Sequence, residues 1–156
     1  MPPFLRFDPE ELAGIRHGFQ QQQPIASDCK LVFIHAGSGG SAINLSLQQF
    51  AELAGRVDKA VRCHFVLTAG PGELDTARAL SALLANTSHS VYHSTQGLVA
   101  FSKFIAVSDL FISGSTGPLH IAGALNVRTA AFYPARRSAT SLRWQTLNQA
   151  SRRVAF

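Results

Sequence analysis

Short apolar runs alternate with amphipathic segments along most of this chain. "KLVFIHA" at Lys30 and "CHFVLTA" at Cys63 are largely apolar, which is typical of strands buried on both faces of a parallel sheet. The same alternation predicts further helices and strands in "SLQQFAELAGRVDKA", "GELDTARALSALLA", "SVYHS", "GLVAFSKFIAVS", "DLFISG", "GPLHIAGALN" and "RTAAFYP". Strands that alternate with helices in this way predict an α/β fold with a Rossmann-like, doubly wound parallel sheet.

Residues 1–29 precede the regular alternation, and we predict that they form a lead-in and linker segment. Within them, "DPEELAGIRHGF" predicts a short helix with Asp8 as its cap and Pro9 at its first position. "QQQQPIASD" is polar and broken by proline, as linkers often are. Residues 30–156 are then expected to form one domain, because the chain is long enough for one hydrophobic core.

Composition and charge exclude several classes of protein. Hydrophobic residues make up 46% of the chain and charged residues 15%, which argues against disorder. No apolar run is long enough to span a bilayer, and the N-terminal sequence lacks the layout of a signal peptide. Cys29 and Cys63 have neither metal nor redox spacing, so we expect free thiols in a reducing compartment.

The formal net charge of +5 has two open interpretations: an unspecific basic surface, or attraction to an anionic ligand or an anionic membrane surface. Nucleic acid is not expected as a partner, because the basic residues are scattered and no recognition motif interleaves them with aromatics. The dispersed histidines and acids predict no metal site, and no G-x-S-x-G elbow predicts a hydrolase.

Ligands of doubly wound sheets bind beyond the carboxyl ends of the strands, so the loops that follow the predicted strands are the places to examine. The first such loop, "HAGSGGS", can present backbone N–H groups to an anion. It has no Walker A lysine. Gly37, Gly39 and Ala42 fit a loose dinucleotide-binding pattern, but the second strand does not end in the acidic residue that NAD recognition requires.

Two later loops leave alternatives open. Glu73, which follows a Gly-Pro-Gly turn, is either an acid in the first turn of a helix or a carboxylate that accepts hydrogen bonds from ribose hydroxyls. In "SGSTGPLH", Ser115 or Thr116 can cap the helix that Gly117 begins, and the free N–H groups of its first turn suit a phosphate. His120 in that turn either reaches the phosphate or packs within the fold.

Four segments in this order, "HAGSGGSAINLSLQQFAELA", "FVLTAGPGE", "DLFISGSTGPLHIAGAL" and "RTAAFYP", resemble the C-terminal half of glycosyltransferase family 9, the heptosyltransferases. The resemblance spans residues 31–144. It implies a GT-B architecture, in which two Rossmann-like domains face each other across a cleft. Residues 30–156 would then be the domain that binds the nucleotide-sugar donor, truncated relative to a full two-domain enzyme.

The resemblance also implies roles for individual residues. They would bind the donor phosphates (Ser38, Gly39), the ribose (Glu73), the border of the adenine (Thr95, Gln96) and the diphosphate from a turn at a helix start (Ser115, Thr116, Gly117, His120). The catalytic group is expected in the N-terminal domain. Neither a metal nor a cofactor is implied, since the ADP-sugar donor is a substrate.

The implied reaction is an inverting transfer of a sugar from a nucleotide-diphospho-sugar, typically ADP-heptose, to a lipopolysaccharide core acceptor. The other domain would hold this lipid-linked saccharide acceptor. The implied location is cytoplasmic, with peripheral contact at the inner face of the inner membrane, and the isolated chain is expected to be inactive. Two alternatives stay open: a non-catalytic nucleotide-binding module, and another GT-B enzyme such as a nucleotide-sugar epimerase.

The sequence departs from the family pattern at three positions. Ile43 stands where many members have a phosphate-neutralising lysine, Ser115 where many have aspartate, and Tyr133 where glycine is common. It stays open whether the lost lysine charge is replaced by one of three arginines: Arg136, Arg137 or Arg143.

Overall fold

A computed structural model of the protein describes residues 3–37, 45–133 and 145–156. Within these residues the strands are β1 (Lys30–His35), β2 (Cys63–Ala69), β3 (His89–His93), β4 (Leu110–Gly114), β5 (Thr129–Phe132) and β6 (Arg153–Ala155). The helices are α1 (Pro9–Gln22), α2 (Leu47–Ala60), α3 (Leu74–Leu83), α4 (Leu98–Ala106) and α5 (Gly117–Ala124). The predicted alternation is confirmed, whereas the sequence pattern did not predict β6.

All the strands are parallel and lie in the order β3-β2-β1-β4-β5-β6. This order confirms the Rossmann-like, doubly wound fold. The chain moves outward from β1 to β3, returns to the centre, and moves outward again from β4. Strands β1 and β4 are therefore neighbours, with His35 opposite Ser113, although their following loops lead away in opposite directions. Such a reversal opens a crevice at the carboxyl ends of these two strands.

Strand β1 packs against both layers of helices. Leu31 and Phe33 face the core on the side of α4 and α5, while Val32 and Ile34 face the core on the side of α2 and α3. This alternation follows from the period of two of an extended strand. Burial on both faces explains why the sequence of β1 is a nearly continuous apolar run.

Helix α1 lies within the predicted lead-in segment and begins as the sequence indicates. The Asp8 carboxylate accepts a hydrogen bond from the Glu11 amide at 3.2 Å, and Pro9 occupies the first turn. The helix packs against the domain, since the rings of Phe19 and Phe104 lie 5.0 Å apart in an edge-on arrangement. The domain boundary at residue 29 stays a prediction, but α1 is in contact with the core that follows it.

A half-buried ion pair joins α1 to the amino end of the sheet. Arg16 lies 2.9 Å from Asp109, and the same carboxylate oxygen accepts the Leu31 backbone N–H at 2.8 Å. Arg16 also donates to the Val107 carbonyl at 2.7 Å. The carboxylate thereby holds the start of β1 beside the start of β4, and α1 supplies its counter-charge.

A buried histidine lies near the same end of the sheet. His64 has Nδ1 2.7 Å from the Ser88 hydroxyl and Nε2 2.9 Å from the Ser90 hydroxyl. Burial, together with a smaller effect of the neighbouring His89, lowers the pKa of His64 to about 4. Because both serine hydroxyls can rotate, they satisfy the neutral ring, which has one donor and one acceptor.

We predict that His64 makes the fold sensitive to mild acid. Its pKa is about 4 in the folded chain and about 6.5 in an unfolded one, so the unfolded state binds more protons between these values. Stability is then lost as the pH falls from about 6.5 toward about 4, by up to about 1.4 kcal/mol per pH unit.

Urea unfolding of wild type and His64→Gln at pH 7 and pH 5 tests this. The variant should lose less stability over that interval than wild type, while the exposed His17→Gln control should match wild type. An equal loss in wild type and His64→Gln would show that another group is responsible.

Candidate functional site

The parallel sheet gathers the loops that follow its strands along one edge. The crevice lies at the carboxyl ends of β1 and β4, and β2 and β3 follow on the side of β1. Neighbouring strands are about 4.8 Å apart, so the ends of β3 and β4 are separated by about 14 Å. A ligand that contacts all these loops must therefore be extended.

The Glu73 carboxylate points back toward the sheet. Glu73 occupies the residue before α3, but its side chain does not cap that helix. Its Oε1 instead accepts the Gly70 backbone N–H at 3.0 Å. The carboxylate thus turns away from α3 toward Gly70 and His35, at the carboxyl ends of β2 and β1.

Two glycines leave the space that this carboxylate fills. A Cβ atom at Gly70 would lie 2.8 Å from Glu73 Oε1, and one at Gly37 would overlap the carboxylate group. Both glycines are buried. Any other residue at Gly37 would displace Glu73, so the small residue after β1 has a steric role that its weak dinucleotide pattern did not reveal.

His35 completes this arrangement. The residue is 1% exposed, with Nδ1 2.9 Å from the Thr68 hydroxyl and Nε2 3.4 Å from Glu73 Oε1. Burial lowers the pKa of His35, and the Glu73 carboxylate opposes that shift. In the sequence, His35 stands out only as the start of a loop. A polar ring that ends an otherwise apolar buried strand could have drawn attention to it.

The turn after β4 lacks a cap hydrogen bond from Thr116, one of the two caps that the sequence allowed. Thr116 stands at the N-cap position of α5, but it makes no side-chain cap hydrogen bond. Its hydroxyl lies 3.0 Å from the hydroxyl of the buried Ser113. Of the two caps that the sequence allowed, Ser115 or Thr116, the structure thus shows no cap hydrogen bond from Thr116, because its hydroxyl is bound to Ser113 at the end of β4.

The first turn of α5 is open at its surface. Gly117 is exposed, and no described atom lies within 4 Å of a Cβ built on it. The described fold thus does not require a glycine there, whereas close approach of a ligand to the backbone would. Ser115 and His120 are half-buried beside this turn, and burial lowers the pKa of His120.

Thr95 and Gln96 lie at the same edge, in the loop after β3. Both are exposed, and the adjacent Ser94 amide donates to the Ala69 carbonyl at 2.8 Å, which fixes the loop beside β2. Gly97 follows with a φ of 89°, a conformation that favours glycine, and α4 then begins. The structure brings these residues to the carboxyl edge of the sheet but not into the cluster around Glu73.

Several predicted positions lie outside the described residues: Ser38, Gly39, Ile43, Arg136, Arg137 and Arg143. Across 3–37, 45–133 and 145–156, no three histidine, cysteine or acidic side chains are grouped to hold a metal ion. In those same ranges, no helix has the length and apolar character needed to cross a membrane.

The chain is similar in sequence to known glycosyltransferases. The family model described as glycosyltransferase family 9 (heptosyltransferase) matches residues 8–153. A Haemophilus influenzae protein named "Putative glycosyltransferase" is 41% identical over 155 residues, which are 99% of this chain and 45% of that protein. The chain therefore spans less than half the length of this relative.

Solved structures share the fold. The Escherichia coli ADP-heptose LPS heptosyltransferase II matches with a TM-score of 0.76 and 17% identity, over 97% of this chain and 44% of that one. The Escherichia coli heptosyltransferase WaaC with ADP matches with a TM-score of 0.63 and 18% identity, over 83% of this chain and 38% of that one. The match of the family model over nearly the whole chain, on a fold shared with these enzymes, shows that the chain belongs to glycosyltransferase family 9, the heptosyltransferases.

Proposed function

We propose that the chain is the donor-binding domain of a heptosyltransferase and binds a nucleotide-diphospho-sugar, ADP-heptose, across the carboxyl edge of its sheet. The supporting observation is the reversal between β1 and β4, which places the open first turn of α5 beside the carboxyl end of β1. Free N–H groups and the helix dipole at such a turn favour a diphosphate.

The order of the loops along the sheet edge matches the order of diphosphate, ribose and adenine in the nucleotide. The diphosphate lies between Ser38 and Gly39 on one side and the turn from Ser115 to His120 on the other. The ribose reaches Glu73, whose carboxylate suits two neighbouring hydroxyls because it only accepts hydrogen bonds. The adenine extends along the edge toward Thr95 and Gln96, which are exposed. The WaaC structure that shares this fold contains ADP, which supports the choice of nucleotide.

In this proposal, transfer of the sugar requires a second domain. The chain covers 45% of its Haemophilus influenzae relative, and the acceptor and catalytic group are assigned to the remainder. The domain positions the donor for inverting transfer to a lipid-linked saccharide of the lipopolysaccharide core. The net charge of +5 suits a cytoplasmic protein in peripheral contact with the anionic inner face of the inner membrane. Donor positioning alone gives no transfer, so the isolated chain is inactive.

We predict that ADP binds at the two loops that flank the crevice. In a titration followed by backbone amide NMR, the largest shift changes should fall in residues 37–42 and 114–120. UDP serves as the comparison nucleotide and should bind more weakly, because the loop after β3 is assigned to adenine.

Largest changes elsewhere in the chain would contradict this location. Tighter binding of UDP than of ADP would contradict the choice of nucleotide and would favour another GT-B enzyme.

We also predict that His120 contacts a phosphate. Burial lowers its pKa in the free chain, and a phosphate would raise that pKa because it stabilises the imidazolium. Binding would then take up a proton, so the advantage of wild type over His120→Ala should grow as the pH falls from 7.5 to 6. A hydrogen bond to a charged group contributes about 1.5–3 kcal/mol, so the variant should bind ADP about tenfold more weakly or worse.

Calorimetric titrations of both proteins at several pH values measure this difference, and the titration of ADP itself cancels in their ratio. The exposed His17→Ala is the matched control and should bind like wild type. A purely structural His120 would give the opposite pattern: a lower melting temperature with an unchanged dissociation constant at every pH.

A further inference from the structure

The imidazole of His35 joins three elements at the edge of the sheet. Its ring stands at the end of β1, its Nδ1 lies 2.9 Å from the Thr68 hydroxyl near the end of β2, and its Nε2 lies 3.4 Å from Glu73 Oε1 at the start of α3. We infer that His35 is a positioning residue, which holds the Glu73 carboxylate in the orientation that receives the ribose hydroxyls of the donor. This inference rests on the proposed function.

Packing alone does not account for a histidine at this position. The residue is 1% exposed, and its ring lies 6.5 Å from that of Phe111 in a stacked arrangement and 6.2 Å from that of Phe101. An apolar side chain would fill this space without the cost of burying two polar nitrogen atoms. Here that cost is offset by polar partners on both sides of the ring, and one of them is a predicted ligand-binding group.

The contacts define how the carboxylate is held. Gly70 N–H and His35 Nε2 both approach the same oxygen, Oε1 of Glu73. A carboxylate only accepts hydrogen bonds, so the contact with His35 is stabilising when Nε2 carries the proton, and Nδ1 then accepts from the Thr68 hydroxyl. Fixing Oε1 restricts rotation of a side chain that otherwise has many rotamers.

This restriction favours ligand binding, because the Glu73 side chain loses its conformational entropy when the chain folds and not when the ligand binds. The carboxylate is also confined by the backbone at Gly37 and Gly70, where a Cβ would collide with it. About 18% of the Glu73 side chain stays exposed. The exposed part lies at the edge of the sheet, where we place the ribose.

The test compares ADP with 2′,3′-dideoxy-ADP, which lacks the hydroxyls assigned to Glu73. Calorimetry on wild type should show a preference for ADP of about tenfold, and Glu73→Gln should abolish most of it. His35→Asn keeps a polar group near Thr68 but cannot reach Glu73, so its preference should fall to about that of Glu73→Gln. His35→Gln extends an amide N–H toward Glu73 and should restore most of the preference.

His64→Gln is the matched control, because His64 is also a buried histidine but lies near the amino end of β2. It should keep the wild-type preference. Thr68→Val conserves side-chain volume and removes the hydroxyl that orients the ring, so it should lose part of the preference. If His35→Asn does not fold, the nucleotide preference of Thr68→Val tests the role of His35 in its place.

Each outcome has one meaning. A wild-type preference that Glu73→Gln removes and His35→Asn retains would overturn the role of His35 and leave the proposed function standing. Equal weakening of both nucleotides by His35→Asn, with a lowered melting temperature, would likewise show that His35 is structural. Absence of ADP binding by wild type would overturn the proposed function and this inference together.

Discussion

Strand β1 is paired along both edges and buried on both faces, and the position of each candidate binding residue follows from that confinement. Its neighbour β2 leads outward to β3, whereas its other neighbour β4 leads outward to β5 and β6. Because all pairings are parallel, the loops after the strands meet at one edge and diverge on either side of β1. The opposite end is fixed by Asp109, which binds Arg16 and the Leu31 amide.

The two sides of the crevice hold their polar groups by different physical means. On the side of β2, a carboxylate is held by contacts with Gly70 and His35 and is enclosed by backbone. On the side of β4, the helix start itself supplies the donors, and the hydroxyl that could have capped it is bound to Ser113. In the proposed function, the acceptors assigned to a ribose and the donors assigned to a diphosphate therefore lie on opposite sides of β1, which suits an extended nucleoside diphosphate.

Much of the fold could be predicted because local sequence and burial agree. Strands β1, β2, β4 and β5 are mostly apolar, and Gly117 and Pro118 mark the start of α5 in both sequence and structure. Strand β6 was missed because it has three partly or fully exposed residues, and only pairing with β5 makes it a strand. No local pattern could supply that long-range pairing.

The site was predictable to a lesser degree. Glu73 and the α5 turn drew attention as residues at the carboxyl ends of strands, but their roles came from the family resemblance. The contact between His35 and Glu73 joins residues far apart in the chain, so no motif reveals it. Thr116, one of the two caps that the sequence allowed, makes no cap hydrogen bond for a related reason, because its partner Ser113 belongs to the preceding strand.

A crystal structure of the chain with bound ADP tests the central claim most directly, since it locates all parts of the nucleotide at once. The account predicts diphosphate oxygens within hydrogen-bonding distance of backbone N–H groups in the first turn of α5, and ribose hydroxyls on the Glu73 carboxylate. ADP bound at the amino end of the sheet, or with its diphosphate away from α5, would contradict it.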